Sequence, residues 1–366
     1  MSSFTNKICY WSLNRHHLLQ KSVSLEQVLK DVIGVYSSHP SGPLSLNARM
    51  RSFCEQEFYN LDEDQLALRI PAMRLSIHMT PKETAHKIFT ATVPPASDPV
   101  WQKRYSQKNR FISEDDYQNY QKAVLQFANK PLSAAEIKGA IKIPDDKVKL
   151  ILNRMAYEGS LLRVGAKSLR SNIISYVATK SWAGNNFVQV EQEKALNWLA
   201  GEYLRVFGPT RIKDFQWWAG VAASKAEKAI STHETVPIEN DYLILKNDLN
   251  EFESFKKPIK DSLSILPRWD CYTMGYAPDG RERFVSPDMQ HYIYGKMGAT
   301  GGNGLGVVLL NGVAHGSWES RFKGSQMNVN LNMFEKPSAK LNNDIEEQFN
   351  GIAVLLKAKR IVFENK

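Results

Sequence analysis

Cationic side chains are the groups whose number and placement point most directly to a chemistry. Residues 101–190 hold 15 Lys and Arg against 7 Asp and Glu, so nearly all of the net charge of +9 falls on this one stretch. Lys147, Lys149 and Arg154 lie on a predicted helix, and Arg163, Lys167 and Arg170 lie on or between the strands of a predicted hairpin that follows it. An excess of cations confined to one unit suits a polyanion such as double-stranded DNA, whereas scattered lysines merely solvate a surface. Arg211 and Arg74 complete the cationic DNA-binding set, because a guanidinium pairs well with phosphate. His78, four residues after Arg74, is either a further DNA contact or a core histidine bonded to backbone. Cys9, Cys54 and Cys271 lie far apart and form no CxxC pair. That spacing predicts neither zinc nor a disulfide framework, and no cofactor is expected.

The cations need a scaffold, and Leu196–Val221 supplies its pattern. Leu196, Leu199, Tyr203, Leu204 and Phe207 recur at helical spacing, and Gly208-Pro209 stops that helix. Thr210 opens a second short helix carrying Ile212, Phe215 and Trp218, which Gly220 ends. A capping box, Ser224-Lys225-Ala226-Glu227, predicts the start of a third. Val236–Ile238 and Tyr242–Leu245 across Asn240-Asp241 then read as a β-hairpin wing. The unit recurs 78 residues earlier: Pro209 falls on Pro131, Asp214 on Glu136, Phe215 on Ile137, Val221 on Ile143, Lys225 on Lys147 and Ile230 on Leu152. The earlier copy has its own capping box from Ser133 to Glu136, with its wing at Leu161–Val164 and Ile173–Thr179.

Before the repeat, the patterns predict helices over Leu13–Gln20, over Leu25–Ile33 behind a Ser24-x-x-Gln27 box, over Leu44–Phe58 and over Asp62–Arg69. Ala72–Met79 alternates as a strand, and Thr80-Pro81-Lys82-Glu83 predicts a helix start with Thr80 as N-cap. Gly34–Pro40 breaks the pattern as a loop or short extended piece, and Pro94–Pro99 reads as a linker. Trp101–Arg110 interleaves four cations with two aromatics. After Lys256-Lys257-Pro258 the chain turns β-rich, with a hairpin at Asn311-Gly312, a strand at Met327–Met333 and a closing helix at Asn343–Leu356. Nothing approaches the roughly 20 apolar residues that span a bilayer, and the first residues lack a signal-peptide core. A cytoplasmic, nucleoid-associated monomer with no membrane partner is therefore expected.

Several of these residues also resemble a known family. Arg15 with Gln20, the loop at 34–40 leading to Ala48-Arg49, and Arg74-Leu75-Ser76-Ile77-His78 fit the bacterial winged-helix family that includes the YcaQ- and AlkZ-type DNA glycosylases. Phe207-Gly208-Pro209, Trp218-Ala219-Gly220, Leu266-Pro267-Arg268-Trp269-Asp270 and Asn311-Gly312 through Trp318 fit it in the same order. The resemblance covers about residues 10–356. It implies an α+β fold of three tandem winged-helix units followed by a β-rich C-terminal domain. The divisions would fall at residues 1–100, 101–188, 189–255 and 256–366.

In the glycosylases the resemblance also implies hydrolysis of the N-glycosidic bond of an alkylated base. The catalytic pair there lies in a Gln-x-Gln or Gln-x-Asp motif followed by a proline-containing segment. This chain reads Tyr36-Ser37-Ser38, then His39-Pro40, with neither glutamine. A cationic alkylpurine is already a good leaving group, so the reaction needs a polar group that positions water and stabilises an oxocarbenium-like transition state. Glutamine offers an acceptor and a donor on one plane; serine is shorter, and tyrosine places its hydroxyl farther out. One reading is a DNA-binding protein linked to recognition or repair of alkylated DNA that has lost the chemistry. The other is an active monofunctional glycosylase acting through Tyr36, Ser38 or His39. A transcription regulator also fits winged helices, although the sequence offers no obvious dimerisation helix or effector module. Asp270 reads as a structural acid sooner than a catalytic one.

Overall fold

The computed structural model describes residues 3–95, 97–99, 112–184, 187, 190–257, 259–295 and 304–364. The aromatic-cationic stretch Trp101–Arg110 lies outside the described residues, as does part of the Pro94–Pro99 linker. Helices and strands mix in an α+β arrangement, and the chain divides into two units, Gln56–Leu199 and Met1–Glu55 with Ala200–Lys366.

In the unit Gln56–Leu199, helices Glu114–Phe127, Ala134–Ile141 and Asp145–Tyr157 close around Tyr117, Val124, Ile137, Val148, Ile151, Leu152 and Met155. The last four recur at the i, i+3, i+4, i+7 spacing of one helix face. The capping box at Ser133 forms as the sequence predicts: Ser133 N–H donates to the Glu136 carboxylate at 2.7 Å, and Glu136 N–H to Ser133 Oγ at 3.2 Å. The strands predicted as a wing form the antiparallel pair Leu161–Gly165 and Ile174–Ala178. It continues a sheet whose neighbouring strands run Ile77–Pro81, Ala67–Pro71, Leu161–Gly165, Ile174–Ala178, Leu132–Ser133.

Three expectations are corrected in this unit. Of the expected Asp62–Arg69 helix only Asp62 and Glu63 are helical, as the end of helix Glu55–Glu63. Ala67 to Arg69 belong to the strand Ala67–Pro71, buried at every position, so that sheet context overrides the helical preference of Ala67 and Leu68. Ala72–Met79 is not one strand. It holds a tight turn in which Arg74 (φ 53°) and Leu75 (φ 59°) both take left-handed backbone, before the strand Ile77–Pro81. The next helix, Lys82–Thr92, has Pro81 rather than Thr80 at its N-cap, and both residues still pair in the sheet, with Ala67 and Leu68.

The other unit carries the second helical group. Helix Gln192–Phe207 ends at Gly208-Pro209, helix Ile212–Ala219 is closed by Gly220 (φ 75°), and Ala223–Ser231 follows. The last two begin 78 residues after Ala134–Ile141 and Asp145–Tyr157, at the offset of the sequence repeat. The third helix starts two residues earlier than its Ser224 box predicts: Lys225 and Ala226 N–H donate to Ala222 O, and Ala222 is the N-cap without a side-chain bond. Strands Thr235–Pro237 and Leu243–Leu245 form the short hairpin.

Its C-terminal sheet runs Arg360–Phe363, Gln326–Met333, Val313–Lys323, Gly306–Leu310, Leu263–Leu266. Asn311 (φ 55°) and Gly312 (φ 81°) turn the predicted hairpin, and a Cβ at Gly312 would collide with Cys9 and Leu13. Helix Ala339–Leu355 crosses back over the sheet, setting Phe349 5.1 Å from the Trp318 ring, and delivers the final strand parallel to Gln326–Val329.

Two helical expectations fail here. The first helix is Ser3–Arg15, not Leu13–Gln20. His17 takes φ 56° and Leu18 N–H closes on Leu13 O at 2.9 Å, a left-handed helix stop. Leu44–Phe58 is broken after helix Ser41–Asn47, because Arg49 turns inward and the backbone around Met50 bridges to Ser22. Among the described residues no helix is long and apolar enough to cross a membrane.

Candidate functional site

The loop at 34–40 is held by its backbone. Val35–Tyr36 is a two-residue strand, and Gly42 N–H, in the following helix, donates to Ser38 O at 2.8 Å. A Cβ at Gly42 would stand 2.8 Å from Tyr36 O, so this close approach requires glycine. Tyr36 and Ser38 are half-buried and His39 is buried. The Tyr36 ring packs on Trp269, centroids 4.8 Å apart at 55°.

Trp269 is in turn fixed by its neighbour. Asp270 is fully buried and accepts Arg49 Nη1 and Nη2 at 2.8 Å each, Tyr272 N–H at 2.9 Å and the Ser45 hydroxyl. Ser45 and Arg49 come from the chain just after the loop, so one buried carboxylate straps the Leu266–Asp270 segment to it. Loss of hydration is the largest single effect and works against the Arg49 cation, yet the charges and hydrogen bonds of Asp270 and Cys271 together outweigh it and raise the Arg49 pKa. Asp270 is accordingly a structural acid. Trp269 and Arg268 are the residues of that motif that sequence reasoning passed over; the signal was an Arg-Trp pair between Pro267 and a buried-type Asp.

Beneath the strap lies a second polar layer. Arg283 is buried, donates to Pro209 O at 3.1 Å and lies 3.6 Å over the Tyr276 ring. His16 is wholly buried against Phe207 and Tyr272, with no hydrogen-bond partner for either ring nitrogen among the described residues. Loss of hydration first, then the charges of Arg49, His17, Arg283 and Arg205, hold its pKa well below the ordinary histidine value. A proton binds His16 in the unfolded chain but not in the folded one. Folding stability should therefore be intact above the unfolded pKa, near 6.5, and fall below it by up to about 1.4 kcal/mol per pH unit. Denaturant titrations of wild type and His16→Phe at pH 7.5 and pH 5 test this: the variant should lose that share of the acid sensitivity.

The cations singled out in the sequence fall into unlike settings. Arg154 is enclosed, with ion pairs to Glu158 at 2.7 Å and Glu114 at 2.9 Å and its guanidinium 3.6 Å over Tyr117. Arg163 donates to Asn153 at 2.8 Å, and Arg211 is bound to Asp214 and Asp279 at the start of its helix. Lys149, Lys167 and Arg170 are exposed; Lys147 is half-buried beside Asp146, and Lys167 makes an exposed ion pair with Glu63. Arg74 sits at the β-turn rather than on a strand face with His78. His78 is half-buried, and desolvation pushes its pKa down to about 4; Arg74 adds to the fall, while the hydrogen bond of Nδ1 with Ser76 O opposes it. The shift favours the neutral imidazole in the free protein. The structure thus brings Tyr36, Ser38 and His39 into one loop beside Trp269, and separates the enclosed arginines from the open lysines.

A family model described as DNA glycosylase AlkZ-like matches residues 36–354, beginning at Tyr36 itself. Among solved structures, Streptomyces sahachiroi DNA glycosylase AlkZ is similar in fold, with a TM-score of 0.75 and 16% sequence identity over 99% of this chain and 100% of that one. No curated protein matches the sequence.

Proposed function

The chain belongs to the AlkZ-like DNA glycosylase family, and from that premise we propose that it binds double-stranded DNA and serves the recognition or repair of alkylated bases with an altered catalytic loop. The observation that carries the reading is the loop itself. The family match starts at Tyr36, the position to which the resemblance assigns the first residue of the glycosylases' catalytic pair, and here that ring packs at a tilt on Trp269. A ring committed to an aromatic neighbour and a short serine two residues on do not offer glutamine's paired donor and acceptor. His39 is the one imidazole in the loop, and it is buried. The second reading, excision through Tyr36, Ser38 or His39, keeps the same loop and differs only in outcome.

The same proposal keeps the division into winged-helix units at 1–100, 101–188 and 189–255 before the β-rich domain at 256–366, for a cytoplasmic, nucleoid-associated monomer. The shared 78-residue offset of the two helix pairs supports it. DNA affinity is then expected to come chiefly from the exposed cations of the second unit. Lys167 counts among them despite Glu63, because a pair this exposed contributes little. Replacing Lys167 and Arg170 by alanine should weaken binding to all duplex sequences about equally. The slope of log K against log salt should flatten by roughly 0.9 for each phosphate that is no longer neutralised. Fluorescence anisotropy over a salt series reads both, and an unchanged slope in the double variant would remove the second unit from the interface.

A further inference from the structure

The turn Pro267–Asp270 holds a cation for which the described fold supplies no counter-charge. Asp270 N–H closes the turn on Pro267 O at 3.3 Å, and Trp269, at the third position, has φ 58°. Glycine ordinarily takes such a position, and a residue with a side chain costs about 1–2 kcal/mol there. The buried clasp of Asp270 by Arg49 holds the strained backbone in place. Trp269 is thereby kept at a partly exposed site with Tyr36 packed against it, and the Arg268 guanidinium lies 4.2 Å over its ring.

Arg268 differs from Arg49 and Arg205 in its partners. Arg49 has Asp270 and Arg205 has Glu202, each as an ion pair. Among the described residues no acidic side chain pairs with Arg268, and its Nε meets no hydrogen-bond partner. A guanidinium stacked on an indole keeps a fixed plane, and its remaining N–H groups form a fork that fits a phosphate oxygen pair. We infer that Arg268, positioned by Trp269, clamps the backbone phosphate next to the nucleotide presented to the loop at 34–40. This rests on the DNA-binding reading and assigns to it a contact that lies outside the basic second unit.

The test uses the full chain and a labelled duplex carrying a single N7-methylguanine, titrated over a salt series. Arg268→Gln should bind about tenfold more weakly at about 50 mM salt, with a log–log slope smaller by about 0.9, one phosphate's share. Arg268→Lys should keep the slope and lose part of the affinity, since an ammonium neither forks nor stacks in the same way. Trp269→Phe should retain most of the binding that Trp269→Leu loses, an aromatic rescue that a general loss of stability would not give. Neither Arg268 variant touches the Asp270–Arg49 pair, so their thermal midpoints should match wild type. A wild-type slope in Arg268→Gln overturns the inference alone. Absence of DNA binding by the wild-type protein overturns the DNA reading and this contact together.

Discussion

Wild-type protein is expected to bind a duplex containing N7-methylguanine yet release little or no base from it, and Tyr36→Gln with Ser38→Gln is expected to restore excision. Backbone contacts hold both positions. Gly42 packs on Tyr36 O and donates to Ser38 O, so both glutamines would start from a loop trace that is already set. One positioned polar group at a transition state is typically worth about 10²- to 10³-fold in rate. The gain should therefore be plain in single-turnover excision and small in affinity, because these groups act on the transition state. Against it stands the removal of the Tyr36–Trp269 packing, worth about 0.5–1.5 kcal/mol. Ser38→Gln alone leaves that packing intact, so comparing the single with the double variant separates catalysis from the loosened ring. Robust excision by the wild type would give the chemistry to Tyr36, Ser38 or His39 and make the second reading the right one.

The parts of this fold that were legible in the sequence are those settled within a few residues. The Ser133–Glu136 box, the stop at Gly208-Pro209 and the Asn311-Gly312 hairpin each rest on local backbone chemistry, and each stands where its pattern puts it. Strands Leu263–Leu266 and Arg360–Phe363 escaped because their partners lie more than 30 residues away, and Ala67–Pro71 escaped although it pairs with the next strand, Ile77–Pro81. Ala67–Pro71 is buried on both faces and has no alternation to read. The site divides in the same way. Tyr36, Ser38 and His39 were found through a motif position, whereas the Trp269 stack beside them depends on a contact across more than 200 residues. Arg154 shows a limit of another kind. Its helical placement suggested a DNA contact, but Glu114 and Glu158 already enclose its charge, and charge counting along a sequence cannot register such pairing.

The second large effect is expected at the strap. Asp270→Asn leaves the Arg49 cation without its counter-charge in a site with no solvent access, and Arg49→Leu leaves the Asp270 carboxylate equally stranded. Removing one partner of a buried ion pair costs about 3–5 kcal/mol, far more than the pair itself contributes net of desolvation. Each single variant should thus shift the denaturant midpoint strongly. The double variant Arg49→Leu with Asp270→Asn should be milder than the sum of the two, because it strands no charge. Function should follow a different order. With the carboxylate gone, nothing equivalent holds Trp269 at φ 58°, so the ring and Arg268 should leave the loop in both Asp270 variants, however much stability the double variant regains. If the double variant recovered stability and wild-type DNA affinity alike, the strap would be a folding device alone. If it recovered stability but not affinity, the buried pair would be what sets the loop's aromatic neighbour in place, which is the role its position between Ser45, Arg49 and Trp269 assigns it.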